Sequence, residues 1–226
     1  LRNSVAFVAL PESDTFVAFI PQATVSIQGS TVNLTFPAGL TSQMQFVGAN
    51  AGVVASGLQP LDGTVSLFMG ADASTWQTSL TTFSAAQVTE LYPGIDARFD
   101  LTTPDSGALV LKSTFFVAAG ADPTRLAWQY PGAALTLAAT GDLQIDLTGS
   151  GTATLIEQAP IAWQIAPSGA TIPVAAHYVV DGTSTVRVAL GEYLPHLPLV
   201  IDPNLVFGTY FGGTGIEEAF DVAVDS

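Results

Sequence analysis

Carboxylates are the side chains of this chain best suited to chemistry. Asp96 and Asp100 lie in the alternating run Ile95-Asp-Ala-Arg-Phe-Asp-Leu101. A strand places alternate residues on one face, so Asp96, Arg98 and Asp100 form a row. Two carboxylates facing each other across a cleft would hydrolyse a glycoside. On an open face, Arg98 between two acids makes a solvated, self-balanced row, and that is the expected role. The densest acidic cluster is Glu217, Glu218 and Asp221, with Asp225 nearby. Ca²⁺ needs several oxygens converging from a loop; Gly212, Gly213 and Gly215 supply a bend, but no Asp-x-Asp-x-Asp-Gly loop is present. The cluster therefore reads as a solvated corner, and no cofactor is expected, with Ca²⁺ there as the alternative. His177 and His196 lack the ligand spacing of a zinc site. Neither a Gly-x-Ser-x-Gly elbow nor a phosphate-binding Gly loop with Lys occurs, which argues against nucleophilic and phosphoryl-transfer chemistry. A non-enzymatic protein is expected.

Aromatic residues offer a different chemistry, stacking on sugar rings. Trp128 and Tyr130 share one face of Leu126-Ala-Trp-Gln-Tyr130. An exposed pair there would be the best glycan platform of the chain. Packing in a core is the competing role for these two, as it is for Trp76 and Trp163.

The elements that must position these residues are strands. Residues 31–36 alternate cleanly, with Val32, Leu34 and Phe36 on one face and Asn33 and Thr35 on the other. Gly29-Ser30 is a two-residue connector that suits a tight hairpin. Similar β-rich runs continue along the chain, punctuated by Pro60-Leu-Asp-Gly63, Thr103-Pro-Asp-Ser-Gly107, Pro131-Gly132, Gly141-Asp142 and Gly149-Ser-Gly151. The segment Asp72 to Thr78 predicts one helical turn with Asp72 as its N-cap, and residues 82–90 a short helix or a strand. The fold class expected is all-β, an antiparallel sandwich or meander, with two packed β subdomains. Their expected extents are residues 1–103 and 104–203, followed by a distinct segment 204–226. Pro203, in Ile201-Asp-Pro-Asn204, is expected to end one strand system.

Composition narrows the partners. Charged residues make up 11% of the 226-residue chain, against about 25% in an average soluble domain. The net charge of −14 arises because nineteen acids face only Arg2, Arg98, Lys112, Arg125 and Arg187. Five dispersed cations cannot track a phosphate backbone, so nucleic acid and anionic lipid are poor partners. No apolar run approaches the length of a membrane-spanning helix, and no membrane insertion is expected. Cysteine is absent, which removes disulfides and Cys-based metal sites. A Thr-, Val-, Ala- and Gly-rich β chain with a single Lys fits an extracellular or cell-surface setting.

Several phrases then carry a family resemblance. Phe46-Val-Gly-Ala-Asn50, Leu91-Tyr-Pro-Gly-Ile-Asp96, Gly120-Ala-Asp-Pro-Thr-Arg125, Gln158-Ala-Pro160 and Pro198-Leu-Val-Ile-Asp-Pro203 appear in order. Thr209-Tyr-Phe-Gly-Gly-Thr-Gly215 and Ala223-Val-Asp225 follow. The chain resembles a domain of unknown function that precedes SBBP-type (seven-bladed β-propeller) repeats in secreted or surface bacterial proteins. Residues 205–226 resemble the first half of one such repeat. The resemblance implies an extracellular setting, β architecture and no established catalytic residues. Half a repeat cannot bury its own apolar face. Leu205, Val206, Phe207, Tyr210 and Phe211 are therefore expected to act as an assembly strand, donated to an exposed sheet edge of a neighbouring subunit or repeat, with a tail that folds back on its own domain or starts a propeller as the equal alternative. The expected function is a structural module of a surface protein or filament that self-associates by strand pairing. The alternative is a glycan-binding adhesin module.

Overall fold

The structure is a computed structural model that describes residues 6–11, 13–20, 23–36, 39–68, 72–102, 110–182 and 184–206. Phe7–Leu10 (β1), Thr15–Ile20 (β2), Ala23–Gln28 (β3), Thr31–Thr35 (β4) and Thr41–Phe46 (β5) form an antiparallel meander. The alternation of residues 31–36 appears as expected, with Val32, Leu34 and Phe36 buried. Gly29 adopts φ 54° at the β3–β4 turn, the left-handed conformation that a two-residue hairpin favours.

The next four strands are Ala55–Leu67 (β6), Gln77–Tyr92 (β7), Ile95–Thr102 (β8) and Val110–Val117 (β9). Pro60-Leu-Asp-Gly63, expected as a loop, lies inside β6. Its register against β7 is broken between Pro60 and Thr64, the irregularity by which a strand accommodates a proline. The helical turn expected from Asp72 is a short 3₁₀ turn at Ala73–Thr75, with the Ser74 N–H donating to the Asp72 carboxylate at 2.9 Å. Residues 82–90 are strand.

The remaining strands are Ala127–Gln129 (β10), Ala134–Leu137 (β11), Leu143–Asp146 (β12), Thr154–Ile165 (β13), Thr171–Val174 (β14), Ala176–Asp181 (β15), Thr185–Leu190 (β16) and Leu199–Val206 (β17). The fold is all-β, as expected, and the seventeen strands among the described residues belong to one antiparallel sheet. From the meander the pairing passes through β5 to β10, β16 and β15. In the other direction β1 pairs with β7, which leads through β8, β9 and β17 to β13. β15 then returns against β13, where the Tyr178 hydroxyl donates to Gln158 O at 2.9 Å. The sheet thus curls into a nearly closed barrel rather than splitting into two stacked sheets.

The boundary expected at residue 103 falls between β8 and β9, which pair with each other over eight registered positions. One apolar core contains residues from Phe7 to Leu205. Pro203 does not end a strand system; it lies within β17, between β9 and β13. The opposing strand carries Ala159 and Pro160 in a register shift between Gln158 and Ile161. Pro203 lacks an N–H, and a central strand tolerates it where the neighbouring ladder is already interrupted. The Ala159 N–H freed by this bulge donates to Asp142 Oδ1 at 2.9 Å.

Candidate functional site

The strongest polar constellation lies inside the barrel. β13 reads Leu155, Glu157, Ala162 and Gln164 toward the interior, so strand alternation and the bulge deliver Glu157 to the core face. β10 and the residue after it bring Trp128 and Tyr130 to the same place, and β15 brings Tyr178. Trp128 Nε1–H donates to Glu157 Oε2 at 3.3 Å, and the Tyr130 hydroxyl donates to the same oxygen at 3.0 Å. Trp128 also stacks on Phe115 at 6.0 Å and meets Tyr178 edge-on at 6.1 Å.

Burial pushes the Glu157 carboxyl up to about 7, against the hydrogen bonds from Tyr130 and Trp128 that favour its ionised form. Burial also raises the phenols of Tyr130 and Tyr178, and the neighbouring carboxylate adds to the rise. A carboxyl titrating near neutrality beside two phenols has the composition of an acid–base centre. Its accessibility does not match: Glu157 is 1% exposed, Trp128 0%, Tyr130 1% and Tyr178 3%. The cluster therefore joins β10, β13 and β15 across the core, and its chemistry is that of a buried polar network. This corrects the expectation for Trp128 and Tyr130. They share a face, as the alternation indicates, but that face is the barrel interior, where no sugar ring can stack.

The acidic row is on the outer surface. Arg98 binds Asp100 through two nitrogens, at 2.8 and 2.6 Å, and Asp96 Oδ1 accepts the Glu90 N–H at 2.7 Å. One strand further, Lys112 Nζ meets Asp202 at 2.7 Å and Thr114 Oγ1 donates to it at 2.9 Å. These carboxylates are engaged with cations and backbone on a sheet face, the balanced arrangement. No group of three His, Asp or Glu among the described residues could hold a metal ion. Glu217, Glu218, Asp221 and Asp225 lie outside the described residues.

Of the expected assembly strand, Leu205 and Val206 complete β17 and are paired on both sides within the chain. Leu205 faces Leu111 and Glu157, and Val206 faces Val110 and Ile156. Leu205 is 2% exposed in the core. These two residues cannot be given to another chain without opening the sheet between β9 and β13. Phe207, Tyr210 and Phe211 lie outside the described residues.

Three of the phrases that carry the family resemblance, at residues 46–50, 91–96 and 120–125, are tied to one another and to neighbouring turns by hydrogen bonds. The Val47 N–H donates to Ala127 O at 2.9 Å, and the Tyr92 hydroxyl lies 3.0 Å from Val47 O and 2.7 Å from Ala127 O. Asn50 donates from its backbone N–H to Leu91 O at 2.9 Å and from Nδ2 to Glu90 O at 2.7 Å. The Ala118 N–H reaches Gly94 O at 2.8 Å, and the Gly120 N–H reaches Pro195 O at 2.7 Å. Burial raises the Tyr92 phenol to about 12, so it stays a neutral hydroxyl throughout the physiological range. These bonds hold turns together.

Glu157, Gln164 and Asp202 were not legible as a set. Gln164 fixes residues 194–197 through Nε2, which donates to Leu194 O at 2.8 Å and Leu197 O at 3.1 Å, and through Oε1, which accepts the Leu194 N–H at 2.7 Å. The available signal was alternation: Leu155 and Glu157 share a strand face, which marks Glu157 as a core acid.

No curated protein and no solved structure matches this chain. A family model does, over residues 16–204, from β2 into β17. The chain belongs to that family, the domain of unknown function DUF7948.

Proposed function

We propose that this domain is a non-enzymatic structural module of an extracellular or surface-attached bacterial protein, joined to its neighbours by β-strand edge pairing. The observation that carries the reading is β6. It spans thirteen residues, pairs among the described residues only with β7, and exposes most of its side chains. Such an edge presents backbone N–H and C=O groups to an incoming strand. Pro60 and the two register irregularities divide it into short stretches. That limits runaway polymerisation while leaving room for one defined partner strand. The edge of β6 replaces Leu205–Val206 as the pairing element, because β17 is already flanked on both sides.

The sealing of Glu157 within the core supports a non-catalytic role. The phrases at residues 209–215 and 223–225 support a position ahead of SBBP-type repeats. Such repeats, or a second copy of the domain, are the neighbours the edge would meet. The test is multi-angle light scattering with negative-stain microscopy on the full chain and on a Leu61→Lys, Val65→Lys variant. Concentration-dependent multimers that the charged edge abolishes are expected. A full chain that stays monomeric at every concentration, or multimers indifferent to the two lysines, overturns the reading.

A further inference from the structure

The outer face of the meander carries a second feature, independent of the β6 edge. Outward positions of β3, β4 and β5 are amides and hydroxyls: Ser26, Gln28, Thr31, Asn33, Gln43 and Gln45. Against this face lies the segment after β5, residues 49–53, and the two border an open cleft of about 480 Å³. That volume falls within the range of small-ligand sites.

We propose that this cleft binds a short stretch of a neutral saccharide, through the amides of Gln28, Asn33, Gln43 and Asn50. None of the lining residues is charged or aromatic. A cation finds no carboxylate there, and an anion also meets the repulsion of a chain with net charge −14. A lipid or an aromatic ligand finds no large apolar wall. A peptide cannot add as a strand to β3 or β4, which are paired along both edges, and β5 is flanked by β4 along its length and by β10 at Gln45 and Phe46. The matching class is an uncharged ligand dense in hydroxyls, each able to donate and accept, as the amides do.

The cleft is already formed. Asn33 and Gln43 oppose each other in register, and Gln43 Nε2 donates to Asn33 Oδ1 at 3.0 Å. That bond orients the pair and leaves Asn33 Nδ2 as a donor and Gln43 Oε1 as an acceptor at the cleft. Gln28 Nε2 donates to Ser13 O at 3.3 Å, leaving its carbonyl oxygen for a ligand. The opposite wall is held by the two Asn50 bonds to residues 90 and 91. At its base, Gly29 lies so close to Val53 O that a Cβ would stand 3.1 Å away. A preformed site loses little conformational freedom on binding.

The experiment is an amide-detected NMR titration of the full chain with cellohexaose, maltohexaose, mannohexaose and chitohexaose, using hexagalacturonate as the charged control. Without a stacking aromatic, affinity in the millimolar range is expected, so titration runs to about 10 mM. At least one neutral hexasaccharide should give saturable shifts at the side-chain amides of Asn33, Gln43 and Asn50, and hexagalacturonate none. An Asn33→Ala, Gln43→Ala variant should weaken that binding at least fivefold (about 1 kcal/mol). Gln43→Glu, which keeps the size of the side chain and adds a charge, should weaken it in the same direction. The inference fails if no neutral saccharide perturbs the cleft, or if the shifts survive in both variants while their spectra remain folded.

Discussion

Glu157 makes the stability of this barrel depend on pH in an unusual direction. Its carboxyl has an ordinary value of 4.5 and is pushed to about 7 in the fold. At about 1.4 kcal/mol per pKa unit, keeping it ionised inside the barrel costs roughly 3 kcal/mol. The folded pKa lies above the unfolded one. The fold is therefore favoured fully below about 4.5, loses that advantage as pH rises to about 7, and is flat beyond. The exposed acids Asp72, Asp122 and Asp146 are shifted the other way by hydrogen bonds from Ser74, Thr124 and Thr148. They are ionised in both states across this window and act only at lower pH. The perturbation is Glu157→Gln, which keeps an oxygen for Trp128 and Tyr130 and removes the charge. Urea unfolding at pH 5, 6, 7 and 8 should show wild-type stability falling by roughly 2–3 kcal/mol, with the variant nearly flat. At pH 8 the variant should be the more stable protein by about 1–3 kcal/mol, less whatever its NH₂ group loses in an imperfect fit. Wild-type stability that stays level or rises between pH 5 and 8 would refute the reasoning, as would a variant that keeps the wild-type slope.

Two pairs of substitutions probe the end of the barrel and its outer face. Gly94 has φ 73°, and a Cβ there would stand 2.8 Å from Ala121 Cβ, whereas Gly120 at φ 81° has open space around it. Gly94→Ala should cost about 2–3 kcal/mol and Gly120→Ala about 1, compared by thermal denaturation; equal losses would show that the contact with Ala121 is unimportant. Lys112→Met should cost about 1–3 kcal/mol in urea unfolding, because it strips the cation from the buried Asp202 carboxylate. Arg187→Met, at the exposed pair with Asp181, should cost less than about 1.

Local structure followed from local pattern wherever a strand's neighbours lie close in the chain. The β3–β4 hairpin, the alternation of residues 31–36 and the all-β class all come from short-range sterics and side-chain periodicity. Asp72 as the cap of a short turn is of the same kind. Tertiary structure decided what periodicity leaves open. Alternation puts Trp128 and Tyr130 on one face, but the register of β10 against β5 and β16 determines that this face looks inward. It likewise puts Glu157 beside Leu155, yet only packing against Tyr130 and Tyr178 turns a strand acid into a core acid. Pro203 reads locally as a strand end; a bulge forty residues earlier, at Ala159–Pro160, is what lets β17 run through it. Leu205 and Val206 look unpartnered in sequence because their partners on β9 and β13 lie far back along the chain. A residue's own neighbours set which side chains travel together. Pairing between distant strands sets whether that shared face meets water, core or another strand.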